Sequence, residues 1–525
     1  MLRARRVSTM LVLALLIKAS LIGLASVLTI DIPRFIGLTD SGHASLIAYA
    51  PEVWLALLAL VFGTLIIVVS IASENTPRLV DIFIGDAWGR LYIWVIMFST
   101  LENVLLQLAT ANPAMFWSNM MFINNYVLLP LVLLFAIPFT FHILKLTKNT
   151  NVIAYIFEEN IHAIHHSSTT NKKAIEQSQM VLFETLNQMH DLLQYIQFKE
   201  PKGDIISRLG RSVRHYLMAK RSFPDQFFGL SQYVKDDISF RTLQERYQKI
   251  ESSKIFYEQK ALWVLNAVYL HVIDEGHPDL ASMCGYELSE IGRTAIQQND
   301  LAVTEAAIME FNTLLRNGIN HALKSKEIGN AFNIIHHYNQ LIFALIENKD
   351  EMRVERCCHY MSRYGEELYR LSEMEPQLKF LVDVIAWALK KNVMYLVERE
   401  FSKNIQQDVL RGFCNLSEIS QATRGVKGGL RLIKISLCLF YMSKDDYGSV
   451  NSIVDSLSNQ WKVGGSESLL REWEESYARL IAENETFWEG TDRGIVNIYF
   501  TGHQDQIPRL REHVQVRIGN QESVH

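Results

Sequence analysis

Apolar residues in this chain fall into two regimes, nearly unbroken close to the amino terminus and periodic thereafter. Four stretches, 10–30, 54–71, 88–108 and 120–144, are almost free of charge. They approach the length of about 20 residues that a helix needs to cross a hydrocarbon core. They predict a transmembrane block of four helices over residues 1–148. Beyond Lys148 the apolar positions recur at the three-and-four spacing of amphipathic helices, and strand-like alternation is confined to 495–500. The predicted fold class is all-α, a four-helix transmembrane block followed by a large cytoplasmic helical domain.

Polar punctuation divides the second part. Residues 149–200 predict a helical connector of one or two long helices, and Glu200-Pro201-Lys202-Gly203 predicts a break, which puts a boundary there. Within 201–500, runs of helical periodicity are separated by polar clusters at 275–278, 297–300, 324–327 and 347–350. Stacked helical hairpins fit this pattern, although no strict repeat consensus is visible and a compact helical bundle leaves the same trace. Residues 501–525 read as a polar, flexible tail.

Composition narrows the function classes. The 49% hydrophobic content averages an apolar quarter with a soluble remainder. A net charge of -5 supplies no concentrated basic field, so nucleic acid is not an expected partner. Five cysteines, Cys284, Cys357, Cys358, Cys414 and Cys438, lack C-x-x-C spacing and suit a reducing compartment. Arg3, Arg5, Arg6, Arg78, Arg90, Lys145 and Lys148 fall on one side of four spans and Arg34 on the other, which predicts that both termini are cytoplasmic. Lys18 interrupts the first apolar run and no small-x-small cleavage site follows, so that run is expected to stay as a span rather than leave as a signal peptide.

Few residues carry candidate chemistry. Lys18 and Glu102 fall near mid-membrane in the first and third runs, with Asn103 and Gln107 extending a polar strip. A charge at that depth costs roughly 2.5–3.5 kcal/mol on insertion scales, so each needs a partner or water. The strip reads either as a structural ion pair or as the lining of a pore. Pro130 and Pro138 predict a kinked fourth span. His162, His165 and His166 offer a one-helix arrangement that a divalent metal uses, against which stands a solvated polar face or histidine stacking between protomers. Cys357 and Cys358 are adjacent and read as core and boundary residues. Arg208, Arg211 and Arg214, with Lys220 and Arg221, form the densest basic run, a candidate contact for anionic lipid or a charged outer face pairing with acidic neighbours. Arg424-Gly-Val-Lys-Gly-Gly429 lacks phosphate-loop spacing, and no hydrolase, kinase, dinucleotide or zinc-module motif occurs. No cofactor is expected.

The linker Ser70-Ile-Ala-Ser-Glu-Asn-Thr-Pro-Arg-Leu-Val80, followed by Asp81-Ile-Phe-Ile-Gly-Asp86, resembles a Ser-Pro-Arg-Leu-like stretch that follows a span in a family of bacterial predicted membrane proteins of unknown function. Phe141-His142-Ile143 and the following Asn151-Val152-Ile153 resemble that family's exit from its last span. The likeness covers about the first third of the chain. Thr76 stands where the family suggests serine and Ile143 where it suggests a second histidine. The resemblance implies membrane architecture in the bacterial inner membrane and carries no activity with it. The linker itself alternates charge with apolar residues and reads as a short interfacial helix that braces the soluble domain.

The expected function is therefore a non-enzymatic membrane anchor for a cytoplasmic helical interaction domain, in contact with the lipid bilayer, homo-oligomeric, and binding a cytoplasmic protein partner. The alternative is an oligomeric ion channel with Glu102, Asn103 and Gln107 along its path.

Overall fold

The computed structural model describes residues 2–27, 40–75, 87–109, 115–146, 148–416, 428–459, 465–485 and 497–522. No strand occurs among them. The chain divides into two compact units, residues 1–158 with 191–204, and residues 159–190 with 205–525.

The first unit holds helices α1 (Leu2–Val27), α2 (Asp40–Asn75), α3 (Ala87–Ala109), α4 (Met115–Phe122) and α5 (Leu129–Leu146). Three segments are long and apolar enough to cross a membrane, Tyr49–Ile67, Trp88–Leu106 and Asn119–Ile143. The expected fourth, 10–30, corresponds to α1, whose described apolar stretch is the shorter Leu11–Val27. Three candidate spans thus stand where four were expected. Helix α2 runs for 36 residues without a break at Pro51.

Between α4 and α5 the helix widens into a π turn, Ile123–Leu128, in which the Leu129 N–H bonds to the Asn124 carbonyl five residues back. Pro130 follows immediately. Its missing N–H already frees one carbonyl of the preceding turn, so the irregularity that proline predicts is taken up one turn earlier as a π insertion. The outer face of α5 is apolar and exposed at Leu134, Ile137 and Phe141.

The connector contains α6 (Asn149–His166) and α7 (Lys172–Tyr195), followed by α8 (Lys199–Ala219). The expected break at 200–203 is instead a helix start. Pro201 lies in the first turn of α8, where backbone N–H groups have no intrahelical partner to lose. An irregular segment, 220–255, then packs Phe223, Phe227 and Phe240 against Phe183, Tyr216 and Phe256. The Gln179 side chain pins it through the carbonyls of Phe227 and Gly229 and the N–H of Ser231.

From α9 onward the second unit is a two-layer stack: α9 (Phe256–Asp274), α10 (Pro278–Gln297), α11 (Leu301–Ser325), α12 (Gly329–Glu347), α13 (Glu351–Leu371), α14 (Lys379–Glu398), α15 (Lys403–Asn415), α16 (Gly428–Ser443) and α17 (Tyr447–Asn459). Even-numbered helices pack on one another in one layer, α10 on α12, α12 on α14 and α14 on α16. That layer is tight. A Cβ on Gly292 would lie 2.6 Å from Leu341 Cδ1, and one on Gly285 would lie 2.9 Å from His337 Cδ2. In the other layer α9 packs on α11, α13 on α15 and α15 on α17. Between α11 and α13 the link is made by side chains, Arg353 to Glu305 at 2.7 Å, Arg356 to Glu305, and Tyr364 Oη to the Asn312 carbonyl at 2.9 Å. Helices α18 (Gly465–Ala482) and α19 (Ile507–Glu522) close the array against α16.

The repeat lies in the turns rather than in the helices. Gly276, Asn299, Lys349, Glu400 and Asp445 all adopt positive φ, between 52° and 74°. At each one the same pair of backbone bonds forms. Asn299 N–H reaches the Ile296 carbonyl and Asp300 N–H the Ala295 carbonyl, and the other four turns repeat this at 2.9–3.2 Å. This is the Schellman closure of a helix carboxyl end. At three of the five turns the next residue caps the following helix, Asp300, Asp350 and Asp446 accepting from the N–H groups of Val303, Arg353 and Ser449. Cations from neighbouring elements cap three of these carboxyl ends, Arg221 on the Gln298 carbonyl, Lys349 on that of Arg399 and Arg509 on that of Met442. The stacked hairpins expected from periodicity are therefore present, and four of the left-handed residues, Asn299, Lys349, Glu400 and Asp445, recur after every second helix.

The tail expected to be flexible is a docked helix over most of its length, with Leu510, Val514 and Ile518 of α19 buried. Residues 497–500 of the strand-like stretch form a turn. The linker 76–86 and the basic loop 424–427 lie outside the described residues.

Removing one turn cap tests this reading of the array. Asp350→Ala leaves the Arg353 N–H without its acceptor and is expected to cost about 1 kcal/mol, seen as a lowered urea midpoint with an unchanged slope.

Candidate functional site

The polar centre of the first unit assembles from α1, α3 and the π turn. Lys18 Nζ donates to Glu102 Oε2 at 2.6 Å and to Asn124 Oδ1 at 3.1 Å. Asn124 Nδ2 donates to the Ser99 carbonyl at 3.2 Å, and Asn103 Nδ2 donates to the same carbonyl at 3.0 Å. One residue further along the π turn, Asn125 Oδ1 accepts from Trp54 Nε1 of α2 at 3.0 Å. Lys18, Asn103, Asn124, Asn125 and Trp54 are all buried.

The π geometry explains how two adjacent asparagines serve two different helices. An extra residue in the turn rotates successive side chains away from their α positions, so Asn124 faces α1 and α3 while Asn125 faces α2. The Lys18–Glu102 contact was foreseeable from depth along two helices. Asn124 and Asn125 were not, because nothing in Ile-Asn-Asn-Tyr marks a π turn except the proline that follows. The Gln107 side chain lies outside the described residues. The arrangement balances one cation with one carboxylate and gives Asn103 Nδ2, Asn124 Nδ2 and Trp54 Nε1 internal acceptors, which is what a buried pair requires.

The histidine candidate resolves differently. His162 and His166 stack with ring centroids 4.0 Å apart, and His166 Nδ1 lies 2.9 Å from the His162 carbonyl oxygen. Among the described residues no group of three or more His, Cys, Asp or Glu is disposed to hold a metal. His162 and His166 thus form a stacked pair on an exposed face, with His165 exposed beside it. Across from it, burial together with Arg211, His165 and Arg214 lowers the pKa of His215.

The basic run turns into the second unit's own carboxylates. Arg214 pairs with Glu287. Lys220 Nζ meets Glu258 Oε1 and Asp300 Oδ2, each at 2.6 Å, and Glu258 is wholly buried. Burial works against the Lys220 ammonium, but these two carboxylates outweigh it and raise its pKa. Arg208 is half-buried and Arg211 exposed on the same helix. Of the two readings of this run, the pairing with acidic neighbours describes Arg214 and Lys220.

Other titratable groups sit deep in the array. Lys390 is buried and donates to Ser436 Oγ at 3.1 Å; burial and the adjacent Lys391 lower its pKa to about 7. Asp383 accepts from Tyr499 Oη at 2.8 Å, and burial raises its pKa to about 6. All five cysteines are buried, and none forms a disulfide. Burial pushes the thiols of Cys284, Cys357, Cys358 and Cys438 upward, which makes them poor nucleophiles. A groove of about 520 Å³ lies between α13 and α15, lined by Met352, Glu355, Arg356, His359, Asp408 and Val409 among others.

No family model and no curated protein matches this chain. Among solved structures it is similar to a circular tandem repeat protein with novel repeat topology and enhanced subunit contact surfaces, at 11% identity and a TM-score of 0.39, over 88% of this chain and 99% of that one. A likeness of that degree assigns no function.

Two measurements follow from these sites. Lys18→Met strands the Glu102 carboxylate and is expected to cost about 3–5 kcal/mol, whereas Lys18→Met with Glu102→Leu costs less than that single change; unfolding of the detergent-solubilised protein compares them. At Lys390 the folded state favours the neutral amine, so its penalty is full below pH 7 and fades as pH rises toward the unfolded value of 10.5. Lys390→Met is therefore expected to raise thermal stability most at or below pH 7, with the gain disappearing toward pH 10.5.

Proposed function

We propose that this protein is a non-enzymatic, homo-oligomeric component of the bacterial inner membrane, in which four apolar helices anchor a cytoplasmic array of helical hairpins that binds another protein. The carrying observation is the pairing, in one chain, of an apolar block in which Lys18 bonds to Glu102 and Asn124 with a stacked helical array that leaves aromatic side chains partly exposed along one layer.

Several features support the parts of this reading. The exposed apolar face of α5, with Leu134 at 72%, Ile137 at 66% and Phe141 at 67% exposure, has the character of a lipid-facing surface. Helix α1 brings Lys18 to Glu102 and packs on α3, which favours its inclusion as a fourth member of the membrane block even though its apolar stretch is short. Stacked hairpins characteristically offer extended surfaces to protein partners. The even-numbered layer here presents Tyr286, Phe332, Phe343, Phe380 and Tyr395 at least partly to solvent.

The channel reading is less well supported. Glu102 and Asn103 direct their bonds inward, to Lys18 and to the Ser99 carbonyl, and an ion path through them has to break the pair that holds α1 to α3.

Full-length protein in lipid nanodiscs, weighed for mass and then recorded for single-channel current, tests the proposal. The expected outcome is an assembly of more than one copy with no conductance. A monomer overturns the homo-oligomer, and a current that changes with Glu102→Gln overturns the anchor in favour of the channel.

A further inference from the structure

The last helix is held in a way that interior helices are not. Helix α19 packs its backbone on α16 and α18 and reaches α17 through side chains. Its apolar residues form one stripe at helical spacing, Ile507, Leu510, Val514 and Ile518, all buried. Among the described residues every ion pair across the seam runs in one direction. Arg509 meets Asp445 at 2.6 Å, Arg511 meets Glu474 at 2.8 Å, and Arg517 meets both oxygens of Asp455 at 2.8 and 2.6 Å. The guanidinium groups all belong to α19 and the carboxylates all belong to the elements that receive it.

We propose that the acidic-rimmed groove of α16, α17 and α18 is a docking site for a basic amphipathic helix, filled in cis by α19 and in trans by α19 of a second copy, so that copies associate by exchanging their last helices. The proposal rests on the homo-oligomer reading above and names the surface that serves it. Charge complementarity selects the occupant: the groove offers Asp445, Asp455 and Glu474 around an apolar floor, and α19 supplies the matching arginines and apolar stripe. The side chains of these pairs are 32–69% exposed, so water and salt weaken them. An exchanged helix makes in trans every contact it makes in cis, so exchange sacrifices none of them.

The test uses full-length detergent-solubilised protein and a fluorescent synthetic peptide of residues 505–522. Saturable binding that weakens as salt rises is expected. Arg517→Glu in the peptide is expected to weaken binding about tenfold. The same substitution in the full-length chain loosens the helix already in place and is expected to increase uptake of the unmodified peptide several-fold. A purely structural role for Arg517 does not produce opposite signs. Should the Arg517→Glu chain fail to fold, Arg511→Glu, at a more exposed pair, takes its place. Absence of peptide binding to either chain overturns the proposal. Native mass on the same samples separates the two readings. A multimer that the peptide dissociates supports exchange, a multimer indifferent to peptide overturns exchange while leaving the homo-oligomer standing, and a monomer overturns both.

Discussion

Taking a charge out of water costs several kcal/mol unless a partner and enough hydrogen bonds replace the solvent, and this chain meets that demand in both of its units. In the first, Lys18 is answered by Glu102 and Asn124, and the geometry needed to answer it sets the approach of α1 to α3 and the placement of the π turn. In the second, Lys220 is answered by Glu258 and Asp300, and Lys260 by Asp237 at 2.7 Å. Each pair joins segments far apart in sequence, so the requirement acts as a constraint on tertiary arrangement and supplies little net stability by itself.

The helical array meets a second requirement, the satisfaction of backbone groups at every helix end. A stack of short helices exposes many such ends, and the repeated turn handles both sides at once. The left-handed residue closes the carboxyl end of one helix, and the aspartate beside it opens the next. Asn299, Lys349, Glu400 and Asp445 accept a conformation that glycine adopts without a Cβ penalty. The cost is tolerated because two backbone bonds form at each position and, at three helix ends, a cation from a neighbouring element joins them. The turns are thereby linked along the stack, and the array propagates through its loops as much as through its core.

These two requirements bear on function together. Several buried and half-buried charges of the second unit, Lys220, Lys260 and Arg214 among them, are paired within it, and its surface carries the partly exposed aromatic residues of the even-numbered layer and the acidic rim that receives α19. The proposed binding of another protein draws on those surface groups. In the polar centre of the first unit, Lys18, Glu102 and Asn124 are directed at each other.

The sequence by itself determined the helical class, the apolar block, the hairpin punctuation and the depth match of Lys18 with Glu102, because each follows from periodicity or from counting residues along a helix. Tertiary structure alone decided the rest. Whether His162, His165 and His166 make a metal site depends on ligands from other elements, and Arg214 reads as lipid-binding or structural according to whether Glu287 lies across from it. The tail looked flexible because Ile507, Leu510, Val514 and Ile518 are sparse among polar residues; only the groove that receives them makes them a buried stripe. The π turn was hidden for a related reason. Its sequence is compatible with an ordinary α-helix, and the choice between the two lies with Lys18 and Trp54, which draw Asn124 and Asn125 to different partners. Local pattern reports what a segment is able to form, and long-range contact selects which form is kept.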